Sequence, residues 1–271
     1  MPTAARMVYA AALAAACLWI PHARAQDVLH RAHAHNAYEH ARPLLDALDR
    51  GFLSVEVDVH LIGDSLYVAH DREEVRPGRT LESLYLEPLG RRVRRNGGVV
   101  YPDSPPLQLL VDVKSEAEST YRALRRMLES YSDMLTRFAD GSRLEGAVTV
   151  IVSGNRARET MRKQGVRFAA YDGRLDDLED HRDASPAFIP LISINWVDIS
   201  SWRGDGEIPA SARERLRDIV ARTHGQSRTL RFWGTRDTTA VWRVLAEEGV
   251  DFIGADDLDA LQRFLLRLDR N

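Results

Sequence analysis

The chain has 271 residues, 37 Lys and Arg against 40 Asp and Glu, and one cysteine, Cys17. A net charge of −3 argues against nucleic acid as a partner. A lone cysteine excludes an intrachain disulfide and a thiolate-built zinc site, so stability must come from an ordinary apolar core.

In chain order, residues 1–25 read as an export signal: Arg6 gives a positive start, Met7 to Ile20 an apolar stretch, and Ala23-Arg24-Ala25 a small-x-small cleavage site. A membrane anchor is the competing reading, but the apolar run is shorter than the roughly 20 residues that span a bilayer, and Pro21 ends it. Cys17 makes a poor lipoprotein site because Leu18-Trp19-Ile20 after it are still apolar. The mature chain is expected to begin at Gln26, in the periplasm or outside the cell. It then carries 35 basic against 40 acidic residues, a net charge near −5.

Residues 26–271 alternate strand-length apolar runs with helix-patterned segments, which predicts a parallel sheet with helical crossovers. Strands are expected near 29–35, 53–60, 107–113, 147–152, 166–171, 188–195, 229–233 and 251–255. Helices are expected near 40–50, 116–138, 155–164, 210–223, 237–248 and 257–268. Eight strands without a Pro/Gly/Ser-rich linker fit a single closed (β/α)8 barrel of the TIM type. The longest irregular connection, about 61–106, falls after the second strand, at the C-terminal face where barrel active sites are built. Within it, Arg91-Arg92-Val93-Arg94-Arg95 reads as a solvated loop rather than a lipid or phosphate patch.

Strand alternation sorts Ser54-Val55-Glu56-Val57-Asp58-Val59-His60 into valines on one face and Glu56 with Asp58 on the other. Two adjacent buried carboxylates repel unless a cation or a shared proton neutralises them. The third strand repeats the device, with Asp112 and Lys114 opposite Leu109, Val111 and Val113. Glu56, Asp58 and Asp112 thus form an oxygen-ligand set for one hard divalent cation, Mg²⁺ or Ca²⁺, while Lys114 offsets the remaining charge or meets an anion. His35 ends the first strand and His70 a short extended stretch in the long connection; two imidazoles flanking a metal-held phosphate can divide the work of base and acid. Each feature also has a structural reading: a hydrogen-bonding His, a solvated carboxylate pair, a surface ion pair. Their common position at strand C-termini favours a site. Tyr101, Trp202, Trp242 and the scattered arginines suggest no function.

Taken together, His35-Asn36, Glu56-x-Asp58, His70-Asp71 and Asp112-x-Lys114 resemble the phospholipase C-like phosphodiesterase superfamily, which includes glycerophosphodiester phosphodiesterases and sphingomyelinase D enzymes. Arg231-Phe232-Trp233-Gly234 and Gly249 to Asp256 resemble its last two barrel strands. The resemblance implies His35 and His70 as the acid/base pair, Glu56, Asp58 and Asp112 as metal ligands, and Lys114, Asn36, Trp233 and Asn195 as substrate or phosphate contacts. Where glycerophosphodiesterases carry His-Arg-Gly this chain has His35-Asn36-Ala37, and Ser193-Ile194-Asn195-Trp196 is nearer to the sphingomyelinase-like branches. The expected substrate is a small-molecule or lipid phosphodiester, with transient membrane-surface contact and no obligate protein partner. A glycosidase using the carboxylate pair and a non-catalytic binding barrel are the rival functions.

Overall fold

A computed structural model describes residues 27–180, 184–268 and 270; the expected signal and its cleavage point at Gln26 lie outside the described residues. β1 (Leu29–Ala34) leads through α1 (Leu45–Leu48) to β2 (Phe52–Ile62), which folds back onto β3 (Ser65–Val68). Next come α2 (Glu87–Arg95), β4 (Leu107–Val113), α3 (Ala117–Glu129) and a hairpin of β5 (Arg137–Ala139) and β6 (Ser142–Leu144). β7 (Val148–Gly154), α4 (Arg158–Lys163), β8 (Val166–Arg167) and β9 (Ala169–Gly173) follow. The described chain closes with β10 (Leu191–Asn195), α5 (Ala210–Gly225), β11 (Thr229–Trp233), α6 (Thr239–Glu247), β12 (Phe252–Ala255) and α7 (Leu258–Leu268).

Eight strands pair in parallel in the order β1-β2-β4-β7-β9-β10-β11-β12, and β12 returns to β1, so the sheet is a closed barrel. The alternation that predicted the strands also decides their two faces. Outward residues such as Val55, Val57, Val59, Leu109 and Val111 join the core beneath the helices. α7 meets that core with Leu258, Leu261, Phe264 and Leu265, spaced at helical period on one face. Inside the barrel the layers differ: Leu110, Ile151, Ala170 and Leu191 form a small apolar cluster with Phe138. Two residues further along the same strands stand Asp112, Ser153, Asp172 and Ser193, so the barrel interior turns polar toward its C-terminal mouth.

Several boundaries differ from the sequence reading. The expected helix 40–50 shrinks to α1, since Pro43 can neither donate in a helix nor leave its predecessor in helical geometry. The expected helix 116–138 ends at Glu129, and the chain then enters β5, whose Phe138 is fully buried. The expected strand 166–171 divides: Val166–Arg167 pairs antiparallel with β5, and only Ala169 onward joins the barrel. The connection 61–106 has structure of its own, with β3 pairing antiparallel to β2 and a wide turn, Glu82–Leu86, running into α2. The arginine run is therefore a helix end and not a loop. Val93 faces the core, and Arg92, Arg94 and Arg95 in the last turn complement the negative end of the helix dipole.

Candidate active site

β2 is the spine of the barrel mouth. Its inward side chains Ser54, Glu56 and Asp58 are all buried. Glu56 meets Arg231 from β11, whose Nη1 lies 2.5 Å from Oε2, and the buried His33 from β1, whose Nε2 lies 3.0 Å from the same oxygen. Burial alone would raise the Glu56 carboxyl, but the Arg231 guanidinium and the His33 hydrogen bond hold it well below the usual carboxylate range. The same burial, with Arg231 beside it, depresses His33 to about 4, so His33 is neutral at neutral pH.

Asp58 is set differently. Its Oδ2 accepts from Tyr38 at 2.8 Å and lies 3.0 Å from His70 Nδ1 and 3.1 Å from Lys114 Nζ. Its Oδ1 is buried and has no hydrogen-bond partner among the described residues. Burial first, and then repulsion from Glu56, raise the Asp58 carboxyl. Asp112, opposite Asp58 in the β2–β4 register, receives Lys114 at 3.2 Å. Burial works against the Lys114 ammonium, but Asp112 and Asp58 outweigh it and raise its pKa. Gly154, at the end of β7, makes room for Asp112: its φ is +65°, and a Cβ there would fall 2.3 Å from Asp112 Oδ1.

One ligand atom each from Glu56, Asp58 and Asp112 lies within 4.8 Å of the others. Oxygens at such separations fit a hard cation bound at about 2.1–2.5 Å. The donor set contains no sulfur or nitrogen, and the unpartnered Asp58 Oδ1 is the kind of atom a cation satisfies. The residues present therefore fit a divalent ion of the Mg²⁺ or Ca²⁺ type. Charge supports the fit: three carboxylates against Arg231 and Lys114 leave one surplus negative charge before any ion binds.

The two candidate histidines flank this cluster. His35 follows β1, with 35 % of its side chain exposed; its Nδ1 lies 2.7 Å from Asp256 Oδ1 and its Nε2 4.0 Å from Glu56 Oε1. Burial opposes its protonation, but Asp256 and Glu56 prevail and raise its pKa. His70 follows β3, with 54 % of its side chain exposed, and the β2–β3 hairpin carries it back over the mouth. His60 from β2 holds the His70 carbonyl at 3.1 Å.

The other expected contacts divide. Asn36, in the left-handed region at φ 48°, donates to Asp256 at 3.2 Å, and its Oδ1 lies 2.8 Å from the Tyr38 hydroxyl. Trp233 is 41 % exposed and walls a cavity of about 230 Å³ with His35, Asp237 and Asp256. Asn195 uses its Oδ1 to cap the turn after β10, 3.3 Å from Val197 N, and lies against Gly234, which lines the same cavity as Trp233. Sequence reasoning assigned no role to Tyr38, or to Arg231 and Asp256 beyond their place in the motifs of the last two strands. Arg231 was accessible to it: in Thr229–Trp233 alternation puts Arg231 on the face opposite Leu230 and Phe232, inside the barrel. Tyr38 and Asp256 act from turns, where no periodicity points to them.

Residues 24–172 match the family described as AIM6-like phosphodiesterase domain. A protein of Arthroderma benhamiae named altered inheritance of mitochondria protein 6 homolog is 29% identical over 262 residues, covering 86% of this chain and 82% of its own. The altered inheritance of mitochondria protein 6 of Eremothecium gossypii is 30% identical over 280 residues, 88% of this chain and 70% of its own. Among solved structures, a glycerophosphodiester phosphodiesterase from Parabacteroides distasonis superposes with a TM-score of 0.51 at 15% identity, covering 89% of this chain and 97% of its own. A phosphodiesterase from Oleispira antarctica, solved with the product sn-glycerol-3-phosphate, gives 0.52 at 12% identity over the same shares. At these identities the structural likeness establishes the barrel fold.

Proposed function

The chain belongs to the AIM6-like phosphodiesterase domain family, and from that premise we propose that it is a divalent-metal-dependent phosphodiesterase acting on a glycerophosphodiester or phospholipid headgroup. The observation that carries the proposal is the placing of two half-exposed imidazoles, His35 and His70, against one carboxylate cluster at the barrel mouth. Glu56, Asp58 and Asp112 would hold the ion. When bound, the dication supplies charge stabilisation to the phosphate oxygens as negative charge develops. It would also turn the surplus negative charge of the five-residue cluster into a surplus positive one, which matches a monoanionic phosphodiester.

The chain's own residues then do the proton work. Asp256 engages His35 Nδ1 and Asp58 engages His70 Nδ1, which leaves each Nε2 to take or give a proton. In this reading one imidazole removes the proton from the attacking hydroxyl, on the substrate or on water, and the other protonates the leaving oxygen. Lys114, tied to Asp58 and Asp112, would meet the phosphate. The test is turnover of a panel of glycerophosphodiesters and lysophospholipids with and without chelator. Metal-dependent release of phosphomonoester or cyclic phosphate supports the proposal. Chelator-resistant cleavage of a glycoside would favour the glycosidase, and metal binding without turnover would favour a binding barrel.

A further inference from the structure

The polar interior of the barrel does not stop at Glu56. Arg231, which grips Glu56, donates from Nε to Ser193 Oγ at 2.8 Å. Ser193 donates to Asp172 Oδ1 at 2.7 Å, and Asp172 Oδ2 accepts from Ser153 at 2.7 Å and from Arg174 Nη1 at 2.6 Å. A continuous chain of hydrogen bonds thus joins the carboxylate cluster to Arg174, which rises from the end of β9 with 29 % of its side chain exposed.

A second guanidinium converges there. Arg156, in the loop after β7, donates from Nε to Gly154 O at 3.2 Å and from Nη1 to Asp172 O, while Arg174 donates to Gly173 O at 3.0 Å. The two grip the same end of β9, although like charges repel. Their neighbours differ: Arg174 pairs with Asp172, and Arg158 with Asp177. Arg156 makes no ion pair among the described residues, and two carbonyl bonds leave most of its five donors unused. It also lies over the Tyr171 ring, 4.8 Å from the centroid. Burial and the charge of Arg174 both disfavour its protonated form.

The loop that carries Arg156 is fastened beside the candidate catalytic groups. Asp112 is in register with Ser153, Asn155 N donates to Val113 O at 2.8 Å, and Asn155 Nδ2 donates to Ser115 O at 2.9 Å. Arg156 therefore leaves the backbone next to the segment bearing Asp112 and Lys114, on the same C-terminal face of the barrel. We propose that Arg156 and Arg174 form a second anion subsite on the rim of the mouth, which takes a phosphomonoester carried by the substrate in addition to the scissile diester. This rests on the phosphodiesterase reading above and narrows its substrate class to diesters bearing a further phosphate. A planar guanidinium with free donors suits phosphate oxygens, and tethering Arg174 through Asp172 and Ser153 fixes its direction before the ligand arrives.

The test compares wild type with Arg156→Gln and Arg156→Lys on glycerophosphoinositol and glycerophosphoinositol 4-phosphate. Wild type should prefer the phosphorylated substrate in kcat/KM, and Arg156→Gln should lower that preference by about 10- to 100-fold, the cost of one charge-assisted bond, chiefly through KM. Arg156→Lys should recover part of it. An unchanged preference in Arg156→Gln, with unfolding temperature and metal affinity retained, overturns the proposal. Binding provides an arm independent of turnover: by calorimetry, glycerol 1,3-bisphosphate should bind wild type more tightly than glycerol 3-phosphate, and Arg156→Gln should erase the difference. If wild type cleaves neither diester, the phosphodiesterase reading fails and this arm decides the subsite. Equal affinity of wild type for the two ligands overturns it.

Discussion

Arg231 on β11 reaches through the barrel interior to Glu56 on β2, with Nη1 2.5 Å from Oε2 and both side chains almost wholly buried. A buried carboxylate stripped of its only guanidinium partner is left uncompensated, and breaking such a pair costs about 3–5 kcal/mol. Arg231→Met is therefore expected to lower stability by about that amount in urea unfolding. Adding Glu56→Gln should recover much of the loss, because the stranded charge disappears. Equal stability of the single variant and wild type would remove the ion pair from the account.

Metal binding should depend on Asp58 and Asp112. Asp58→Asn and Asp112→Asn are each expected to weaken Mg²⁺ or Ca²⁺ binding at least tenfold by calorimetry, and chelation should abolish turnover. Wild-type affinity in Asp58→Asn would sink the assignment, since the unpartnered Asp58 Oδ1 is its main structural support.

Gly154 gives a third test of the same cluster without touching a ligand. Gly154→Ala puts a methyl group 2.3 Å from Asp112 Oδ1 and forces a side chain into φ +65°. Metal affinity should fall along with stability, whereas Gly63→Ala, also at positive φ but with open space around it, should lower stability alone.

If His35 and His70 share the proton transfers, each alanine variant should lose about 10² to 10⁴ in turnover. The double variant should be little worse than either, since groups acting as a unit are not additive. Phosphorus NMR of a glycerophosphodiester reaction tests whether a substrate hydroxyl attacks first: a cyclic phosphate should appear. Equal turnover of substrates lacking that hydroxyl would favour direct attack by water.

The pH dependence of stability can be followed at Glu116, the N-cap of α3, whose carboxylate accepts from the backbone N–H groups of Glu118 and Ser119 and from the Ser119 hydroxyl. The Ser119 hydrogen bonds depress it from 4.5 to about 2. A depressed acid contributes stability that is fully present above its unfolded pKa and lost as pH falls through the folded one. The stability difference between wild type and Glu116→Gln should stay constant from neutral pH to about 5 and then narrow as pH falls toward about 2. A difference that persists unchanged to pH 2 would show that the carboxylate charge has no part in the cap.

The alternation of Val55-Glu56-Val57-Asp58-Val59 was enough, by itself, to place two acids inside a barrel and their neighbours beneath helices, because strand geometry assigns faces locally. The same local rule turned Asp112 inward, and eight strands without a linker fitted a closed barrel, which the pairing of β12 with β1 completes. The pairing of residues far apart along the chain was beyond that rule. Arg231 neutralises a carboxylate 175 positions earlier, and Asp256 orients His35 across 221 positions; only closure of β12 onto β1 makes these pairs neighbours. In the connection 61–106 the extended stretch before His70 was legible, but its pairing with β2 as β3 is a tertiary event. Sequence thus determined which residues face inward, a property of each strand alone. Tertiary structure decided which inward charges cancel, which stay unpaired and which imidazole nitrogen remains free, since those depend on distances between strands that the chain brings together only when the barrel closes.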